Sequence, residues 1–518
     1  MTAEESLTPA APAGLPNPTA GMTTKVVKGS LWTLAGQVAP LLVSLITTPF
    51  VIRMLGAESY GVLILVGLIP TYLGFADFGM SIASTKFASE AYAEGDPARE
   101  ARIVRTAALI ALCSSVPLAV ILFLFSTQII GLFNVPEHLH SEASLALKIA
   151  AVTFVVTFLN NIFNTPQLTR LRMDLNTFVN AGFRILGLVA TPFAIYYFGI
   201  VGAVATLLVA SLLTLIGHLF FSNRLDHHLF ETGIERGLVR PMLKFGGALV
   251  GASIAAVLLV NVEKGILAAT VSSATLAHYS VAFTLASMMT LFSSSMAQSM
   301  MPAFSQLQSP DERPRLNSLY SRGIRINLIW LVPSLVLLAL FARPFFDIWA
   351  GSEFAEASTV PFYILLVGVG VNIVAYLPYT AIMASGRTDL FAKLYWVELA
   401  VYIVVVWQLA SRFGAIGAAA AWSARVIIDA FIQFALASRF GGVRYTQLGL
   451  LKFAIAALVM AVPAVLSIYL QQLNVAIIAG AIVCLFIYAF IVFKTMLEAE
   501  ELSWITHQIN DRLVRIRS

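Results

Sequence analysis

Eight ionisable residues interrupt the long apolar stretches of this 518-residue chain. They are Asp77, Lys148, Arg184, Glu263, Lys264, Glu398, Arg425 and Asp429. A charged side chain in apolar surroundings costs about 2.5–3.5 kcal/mol on membrane-insertion scales. Each of these groups therefore needs a counter-charge, a polar cavity or a bound ligand. Four are acidic and four are basic, so the set could form internal ion pairs, carry protons or hold a charged ligand.

Arg184 is the leading candidate for an anion site, because no carboxylate lies three or four residues from it. A planar guanidinium pairs well with phosphate oxygens. Pairing with Asp77 or Glu398 is the alternative. Arg425 and Asp429 are spaced i, i+4, which predicts mutual pairing on one helix, with ligand contact as the alternative.

Glu263 and Lys264 are adjacent, so their side chains point about 100° apart on a helix and need different partners. Arg53, near the end of the first apolar stretch, could bind a ligand or extend to lipid headgroups. Asn161 and Asn164 lie in a polar part of the fourth stretch. Their amides suit hydroxyl-rich ligands and helix packing equally well.

Four carboxylates could titrate during a functional cycle and so couple or gate it: Asp77, Glu263, Glu398 and Asp429. For Asp77 the alternative is a hydrogen bond at a helix end. Cys113 and Cys484 lie far apart inside apolar stretches and are interpreted as unpaired apolar fillers. No metal site, cofactor site or catalytic constellation is predicted.

The apolar stretches that carry these residues predict an all-α polytopic membrane protein. Hydrophobic residues make up 59% of the chain and charged residues 11%, whereas soluble domains have about 45–50% and about 25%. The stretches are continuous rather than alternating, which favours helices over a β-barrel. About 14 transmembrane helices are predicted, at 31–52, 60–83, 106–132, 144–168, 177–198, 200–221, 245–268, 277–300, 326–346, 359–384, 392–411, 415–436, 453–471 and 475–496.

Positive charge alternates between the loops and predicts the orientation. With the N-terminus in the cytoplasm, 25 of the 32 Lys and Arg residues fall in inside segments. Four fall at outside ends: Arg53, Lys264, Arg343 and Arg412. This is a positive-inside distribution, and an even number of spans places both termini in the cytoplasm. The net charge of +5 therefore reflects topology and lipid headgroups, and does not indicate nucleic-acid binding.

The two ends of the chain lack spans. Residues 1–24 are rich in Pro, Ala and Thr, without the apolar centre of a signal peptide, and predict a disordered cytoplasmic tail. Met22 is an alternative start. Residues 498–518 carry apolar side chains at helical spacing against charged ones, which predicts an amphipathic cytoplasmic tail on the inner leaflet.

An internal duplication divides the chain into an N-lobe (25–240), a C-lobe (241–440) and an appended span pair (441–497). At an offset of 215, Phe198–Ala203 answers Phe413–Ala418, and Asp174 and Asp389 take equivalent positions as candidate N-caps. Because six spans separate the copies, the two lobes are predicted to be parallel six-helix repeats.

These sequence features resemble the polysaccharide transporter family, whose members include O-antigen and exopolysaccharide flippases of the multidrug/oligosaccharidyl-lipid/polysaccharide (MOP) superfamily. The matching residues are Lys28-Gly29, Pro49-Phe50, Arg53, Leu55-Gly56, Tyr60-Gly61, Asp77-Phe78-Gly79, Asn261-Val262-Glu263-Lys264 and Tyr279. Glu263 departs from the family, which more often has Asp at this position.

The resemblance implies a non-enzymatic flippase that turns a polyprenyl-pyrophosphate-linked oligosaccharide across the bacterial inner membrane by alternating access. It implies membrane lipids as partners, and polysaccharide polymerase or export machinery as possible ones. Two alternatives stay open. One is a multidrug or ion antiporter of the same superfamily. The other is an integral-membrane glycosyltransferase or polymerase, although the longest predicted outside loop (343–358) is too short for a domain.

Overall fold

The computed structural model describes residues 18–387, 389–443, 450–470 and 474–495. The described residues form α-helices joined by short 3-10 turns and loops, with no strand among them, which confirms the all-α fold class. The helices are α1 (Pro18–Tyr72), α2 (Met80–Ala93), α3 (Pro97–Leu124), α4 (Ser126–Ile130), α5 (His140–Phe163), α6 (Thr165–Thr169), α7 (Met173–Leu225), α8 (Val239–Thr270), α9 (Ser273–Ser287), α10 (Thr290–Gln306), α11 (Arg313–Trp349), α12 (Ser352–Ala384), α13 (Asp389–Phe440), α14 (Leu450–Leu470) and α15 (Val475–Thr495).

Three of the longest helices each contain one glycine with non-helical torsions. α1 breaks at Gly56 (φ 74°, ψ 171°), α7 at Gly199 (φ 55°, ψ −139°) and α13 at Gly414 (φ 56°, ψ −134°). A positive φ is costly for residues with a Cβ atom, and glycine adopts it readily. Each break falls between two predicted spans, so the structure confirms these three boundaries.

The described residues contain nine helices that are long and apolar enough to cross a membrane, or ten if α9 and α10 form one span bent by 44°. Three of these segments are 63, 53 and 52 residues long, and each contains one of the glycine breaks. A crossing needs only about 20 residues, so each of the three is long enough for two crossings. The structure confirms a polytopic membrane protein, and the count of fourteen remains a prediction.

The second predicted span (60–83) is not one continuous helix. α2 begins only after Phe78 and Gly79, whose φ values are 47° and 66°. The Asp77 carboxylate accepts a hydrogen bond from the Ser81 hydroxyl at 2.6 Å and a longer one from the Ser81 backbone N–H at 3.3 Å. Asp77 thus satisfies a backbone donor in the first turn of α2, as a helix-capping residue does.

Asp174 does not cap α7, contrary to the sequence-based expectation. Arg172 occupies the N-cap position without a side-chain cap bond, and Asp174 follows as the second helical residue. The Arg172 guanidinium binds both carboxylate oxygens of Asp174, with two of the distances at 2.9 Å. A bidentate charged pair satisfies this carboxylate and leaves it unavailable for capping. Asp389 is the first residue of α13 and pairs with Arg387 at 3.2 Å, so the pairing repeats at the offset of 215.

The described chain forms two compact units. Unit 1 comprises Met1–Phe50, Phe75–Leu124 and Lys148–Val250. Unit 2 comprises Val51–Gly74, Phe125–Leu147 and Gly251–Ser518. The core of unit 1 is built around Met80, Ile103 and Ile162, and the main core of unit 2 includes Tyr279 and Phe346. These units reflect spatial compactness, whereas the predicted lobes reflect a sequence repeat, so the predicted domain boundaries remain a prediction.

The appended helices α14 and α15 pack on each other and join a separate apolar core in unit 2. That core includes Val336 of α11, Met460 of α14 and Tyr488 of α15. The Tyr488 hydroxyl lies 3.1 Å from the Leu328 carbonyl oxygen and 3.0 Å from that of Ile329. α11 therefore anchors the pair through apolar contacts and a hydrogen-bonded phenol.

The predicted tails fall mainly outside the described residues. This holds for residues 498–518, with their predicted amphipathic helix, and for residues 1–17. α1 begins at Pro18, inside the tail predicted to be disordered up to residue 24. Proline is favoured in the first turn of a helix, because its fixed φ suits the helix and its missing N–H is not needed there.

Candidate functional site

Unit 2 contains a buried charged cluster, called here the carboxylate cluster, made of Glu263, Glu398, Arg425 and Asp429. Arg425 Nη1 lies 3.4 Å from Glu398 Oε2, and both side chains are largely buried. The guanidinium also lies over the Tyr402 ring, 5.2 Å from its centroid. The Tyr402 hydroxyl in turn donates to Glu263 Oε2 at 3.2 Å. α8 and α13 thus contribute to one continuous polar network in an apolar core.

Glu263 is fully buried and is held by phenol groups rather than by a cation. Tyr279 and Tyr402 donate to its two carboxylate oxygens at 3.4 and 3.2 Å. Lys264 points elsewhere: its Nζ donates to Asn261 Oδ1 at 2.9 Å and lies 4.5 Å from the centroid of the Phe283 ring. The two adjacent charges therefore have different partners, as their spacing on a helix requires.

Arg425 and Asp429 do not pair with each other, contrary to the i, i+4 expectation. Asp429 Oδ2 accepts from the Gln433 amide at 2.6 Å, while Arg425 reaches Glu398, 27 residues earlier in the chain. Helical spacing brings two side chains within reach, but a better-placed partner on another part of the fold decides which bond forms. Glu398 is such a partner for Arg425.

A cavity of about 470 Å3 lies beside this cluster within unit 2. Arg425, Asp429 and Gln433 line it together with several aromatic side chains: Phe283, Tyr376, Tyr379, Tyr395 and Trp422. Three buried acceptor atoms of the cluster and its neighbour have no hydrogen-bond partner: Glu398 Oε1, Asp429 Oδ1 and Gln433 Oε1. An unsatisfied buried acceptor is costly, so this arrangement suits a proton or a small cation.

Unit 1 contains a second candidate site, called here the polar groove, with a volume of about 520 Å3. Its lining residues come from α2, α5 and α6 and the junction between the last two: Ser81, Ile82, Thr85, Lys86, Ser89, Asn161, Asn164 and Leu168. The structure thus brings both predicted asparagines into one pocket. Asp77 reaches the same groove indirectly, through its hydrogen bond to Ser81.

The two remaining predicted cations differ in their surroundings. Arg184, on α7, is exposed, and among the described residues it has neither an ion pair nor a hydrogen bond. The alternative pairings with Asp77 and Glu398 are not formed. Arg53 donates a hydrogen bond to the Ile348 carbonyl oxygen, which fixes its guanidinium within unit 2.

Some residues at these sites are absent from the sequence-based candidates. The hydroxyls of Ser81, Thr85 and Ser89 recur every four residues, a helical spacing that could have identified them as one polar face. Tyr279 and Tyr402 gave no comparable signal. Each lies in an apolar stretch, and only the three-dimensional fold brings its hydroxyl to Glu263.

Comparisons with known proteins agree with this fold. The model of a family described as "Polysaccharide biosynthesis protein" matches residues 26–308. A Shigella flexneri protein named "Putative O-antigen transporter" is 22% identical over 414 residues, covering 79% of this chain and 96% of that protein. A Haloferax volcanii protein named "Probable low-salt glycan biosynthesis flippase Agl15" is 22% identical over 411 residues, covering 77% of this chain and 81% of that protein.

Two solved structures share the fold at low sequence identity. One is described as the lipid II flippase MurJ in an inward closed conformation. It has a TM-score of 0.69 and 16% identity, and the match covers 91% of this chain and all of that one. The other is an inward-facing multidrug resistance MATE family transporter of the MOP superfamily. It has a TM-score of 0.63 and 14% identity, and the match covers 79% of this chain and 94% of that one.

Proposed function

Because the chain belongs to the polysaccharide biosynthesis protein family, we propose that it is a flippase for lipid-linked oligosaccharides. Its family membership confirms the resemblance drawn from the first 90 residues and from Asn261–Lys264. The proposed cargo is an oligosaccharide on a polyprenyl pyrophosphate, moved from the cytoplasmic to the periplasmic leaflet of the bacterial inner membrane. The names of the Shigella and Haloferax relatives support this reading.

The polar groove is the observation that supports a sugar cargo most directly. Hydroxyl and amide side chains line a pocket of about 520 Å3 in a unit made of apolar, span-length helices. Exposing such groups to lipid is costly, because they lose their hydrogen bonds to water. Asn161 and Asn164 can exchange hydrogen bonds with sugar hydroxyls, which supplies a reason for a polar pocket at this place.

The pyrophosphate needs cations, and Arg184 is the proposed one. Its guanidinium is exposed and free of carboxylate partners in the described part of the chain, so its positive charge stays available to a ligand. Arg425 is already held by Glu398, and Lys264 by Asn261 and Phe283. For these two a cargo contact would require a change of partner. Arg53 is held by the Ile348 carbonyl oxygen in the same way.

The carboxylate cluster is the proposed coupling site. Glu398 and Asp429 each have one buried oxygen without a partner, beside the cavity of unit 2. A proton or sodium ion bound there would change the charge next to Arg425. Glu263, with its phenol partners, is a second proposed titrating group, and Asp77 is a proposed gating residue at the break in the second span. Alternating access of the two repeats would convert this ion cycle into transport.

A multidrug antiporter is the second candidate, and the unit 2 cavity favours it. Aromatic rings and a carboxylate together suit an amphipathic cation, and the fold matches a MATE family transporter. The polar groove of unit 1 and the unpaired Arg184 have no evident role with such a cargo. We therefore rank it second. We propose no catalytic step.

Replacing Arg184 tests the proposed function in cells. In a host that depends on this protein for surface polysaccharide, Arg184→Ala should abolish surface polysaccharide at matched protein level, while Arg184→Lys should restore part of it. Lys148→Ala is the matched control, because Lys148 is also a cation within a predicted span but lies over the Phe123 ring. Full export by Arg184→Ala would remove Arg184 from the cargo site.

A further inference from the structure

The hydrogen bonds inside the polar groove indicate which sugars it can take. Ser81 Oγ donates to Asp77 Oδ2 at 2.6 Å, Thr85 Oγ1 donates to the Ser81 carbonyl at 3.0 Å, and Ser89 Oγ donates to the Thr85 carbonyl at 2.6 Å. A hydroxyl has one proton to donate and two lone pairs to accept with. All three hydroxyls on this face have used their protons inside the protein, so only lone pairs remain for a ligand.

The opposite wall of the groove adds another acceptor. Asn164 Oδ1 is buried and has no hydrogen-bond partner. A buried acceptor left unsatisfied costs about 1–3 kcal/mol, which a ligand O–H or N–H would recover. The amide N–H groups of Asn161 and Asn164 supply donors as well, so the wall can exchange bonds in both directions with a hydroxyl.

The one cation among the eight lining residues is already engaged. Lys86 Nζ lies 3.6 Å from Glu90 Oε1 and near the rings of Phe87 and Phe245, at 4.4 and 5.0 Å from their centroids. A carboxylate ligand would therefore meet a cation whose charge Glu90 offsets and a face of oxygen lone pairs. Such a ligand would lose hydration without gaining donors.

From this pattern we propose that the polar groove binds an uncharged sugar unit through its O–H and amide N–H donors, and that it discriminates against uronic acids. The proposal rests on the flippase function and narrows its cargo to glycans with a neutral sugar at this contact. Phosphate recognition is assigned to other residues, because a phosphate, like a carboxylate, brings mainly acceptors. The discriminating residues are Ser81, Thr85, Ser89 and Asn164.

Binding measurements on the full chain in lipid nanodiscs test this proposal. Three probes share one carrier: undecaprenyl pyrophosphate alone, the carrier with a glucose–glucose disaccharide, and the carrier with a glucose–glucuronic acid disaccharide. The neutral disaccharide should bind about tenfold more tightly than the acidic one, which corresponds to about 1.4 kcal/mol. Thr85→Val keeps the side-chain shape but removes the acceptor, and should weaken only the neutral disaccharide, by about tenfold.

Thr157→Val is the matched control. Thr157 also donates to a carbonyl of its own helix, at 2.8 Å, but it is exposed on α5 and does not line the groove. It should leave the binding of all three probes unchanged. Ser89→Ala provides a second groove variant if Thr85→Val is recovered in poor yield.

The outcomes separate the two levels of the argument. Equal or tighter binding of the acidic disaccharide, or no effect of both groove variants on a folded protein, would overturn the neutral-sugar inference while leaving the flippase function standing. Failure of the wild-type protein to bind any of the three probes would overturn the proposed function itself.

Discussion

Gly199 and Gly414, 215 residues apart, break their helices with torsion angles that agree to within 1° in φ and 5° in ψ. Three residues after each break stands a second glycine, Gly202 or Gly417. A Cβ atom at either would collide with the carbonyl oxygen of the residue eight positions earlier, Ala194 or Leu409. The same local geometry at the same offset supports the internal duplication more strongly than the sequence match alone.

Gly202→Ala should destabilise the protein by about 1–3 kcal/mol, because the added methyl group overlaps the backbone of the preceding span. Gly182→Ala is the control on the same helix. Its Cβ would meet no heavy atom within 4 Å, and alanine favours helix by about 0.5–1 kcal/mol relative to glycine. Thermal unfolding in detergent should therefore show a lower Tm for Gly202→Ala and an unchanged or higher Tm for Gly182→Ala. The reverse order would contradict the close approach at Gly202.

Glu100 should be far more sensitive to substitution than Glu90. Glu100 Oε1 accepts from Arg170 at 2.7 Å and from Thr169 at 2.8 Å, and the side chain is fully buried. Breaking a buried ion pair costs about 3–5 kcal/mol, so Glu100→Ala should lower the Tm strongly. Glu90 pairs with Lys86 at 3.6 Å on the surface, and Glu90→Ala should change stability by no more than about 0.5 kcal/mol. Similar losses for both variants would argue against the buried pair.

A double-mutant cycle should show which carboxylate Arg425 pairs with. The single variants are Arg425→Gln, Glu398→Gln and Asp429→Asn. We expect a coupling energy of about 1–3 kcal/mol between Arg425 and Glu398, and a smaller one between Arg425 and Asp429, which bonds Gln433 instead. The measurement is the unfolding free energy of the single and double variants. A larger coupling to Asp429 would restore the i, i+4 pairing expected from the sequence.

Glu263→Gln should separate folding from transport. The amide has the shape of the carboxylate and can keep hydrogen bonds to Tyr279 and Tyr402, so the protein should fold with a near-normal Tm. It can no longer take up and release a proton. If Glu263 titrates during the cycle, transport should be lost. Glu353→Gln, at an exposed glutamate on α12, is the control and should retain it. Normal transport by Glu263→Gln would leave the residue a purely structural role.

The sequence predicts local features of this fold well, and distant partners poorly. The apolar stretches and the residues around Gly199 and Gly414 indicate spans and their boundaries, because helix length and glycine conformation are local properties. The break at Asp77 was missed, since nothing in the apolar run 60–83 reveals that Phe78 adopts a positive φ. The Arg425–Glu398 pair was missed because spacing along one helix says nothing of a residue on another.

The candidate sites divide in the same way. Asn161 and Asn164 were identified by their residue type, and the structure places both in the polar groove. Their neighbours Thr85 and Ser89 come from α2, more than 70 residues earlier in the chain. A single sequence without tertiary contacts cannot join these segments, so the groove as a site emerges only from the fold.

The most direct test of the central claim is lipid flipping in proteoliposomes. Vesicles would contain the purified protein and a polyprenyl-pyrophosphate-linked neutral disaccharide, and an external glycosidase would report the fraction of sugar in the outer leaflet. We predict that the inner-leaflet fraction becomes accessible with time in wild-type vesicles, and that it stays protected in vesicles with Arg184→Ala or without protein. Equal accessibility rates in wild-type and protein-free vesicles, with the protein shown to be folded, would contradict the assignment of this chain as a lipid-linked oligosaccharide flippase.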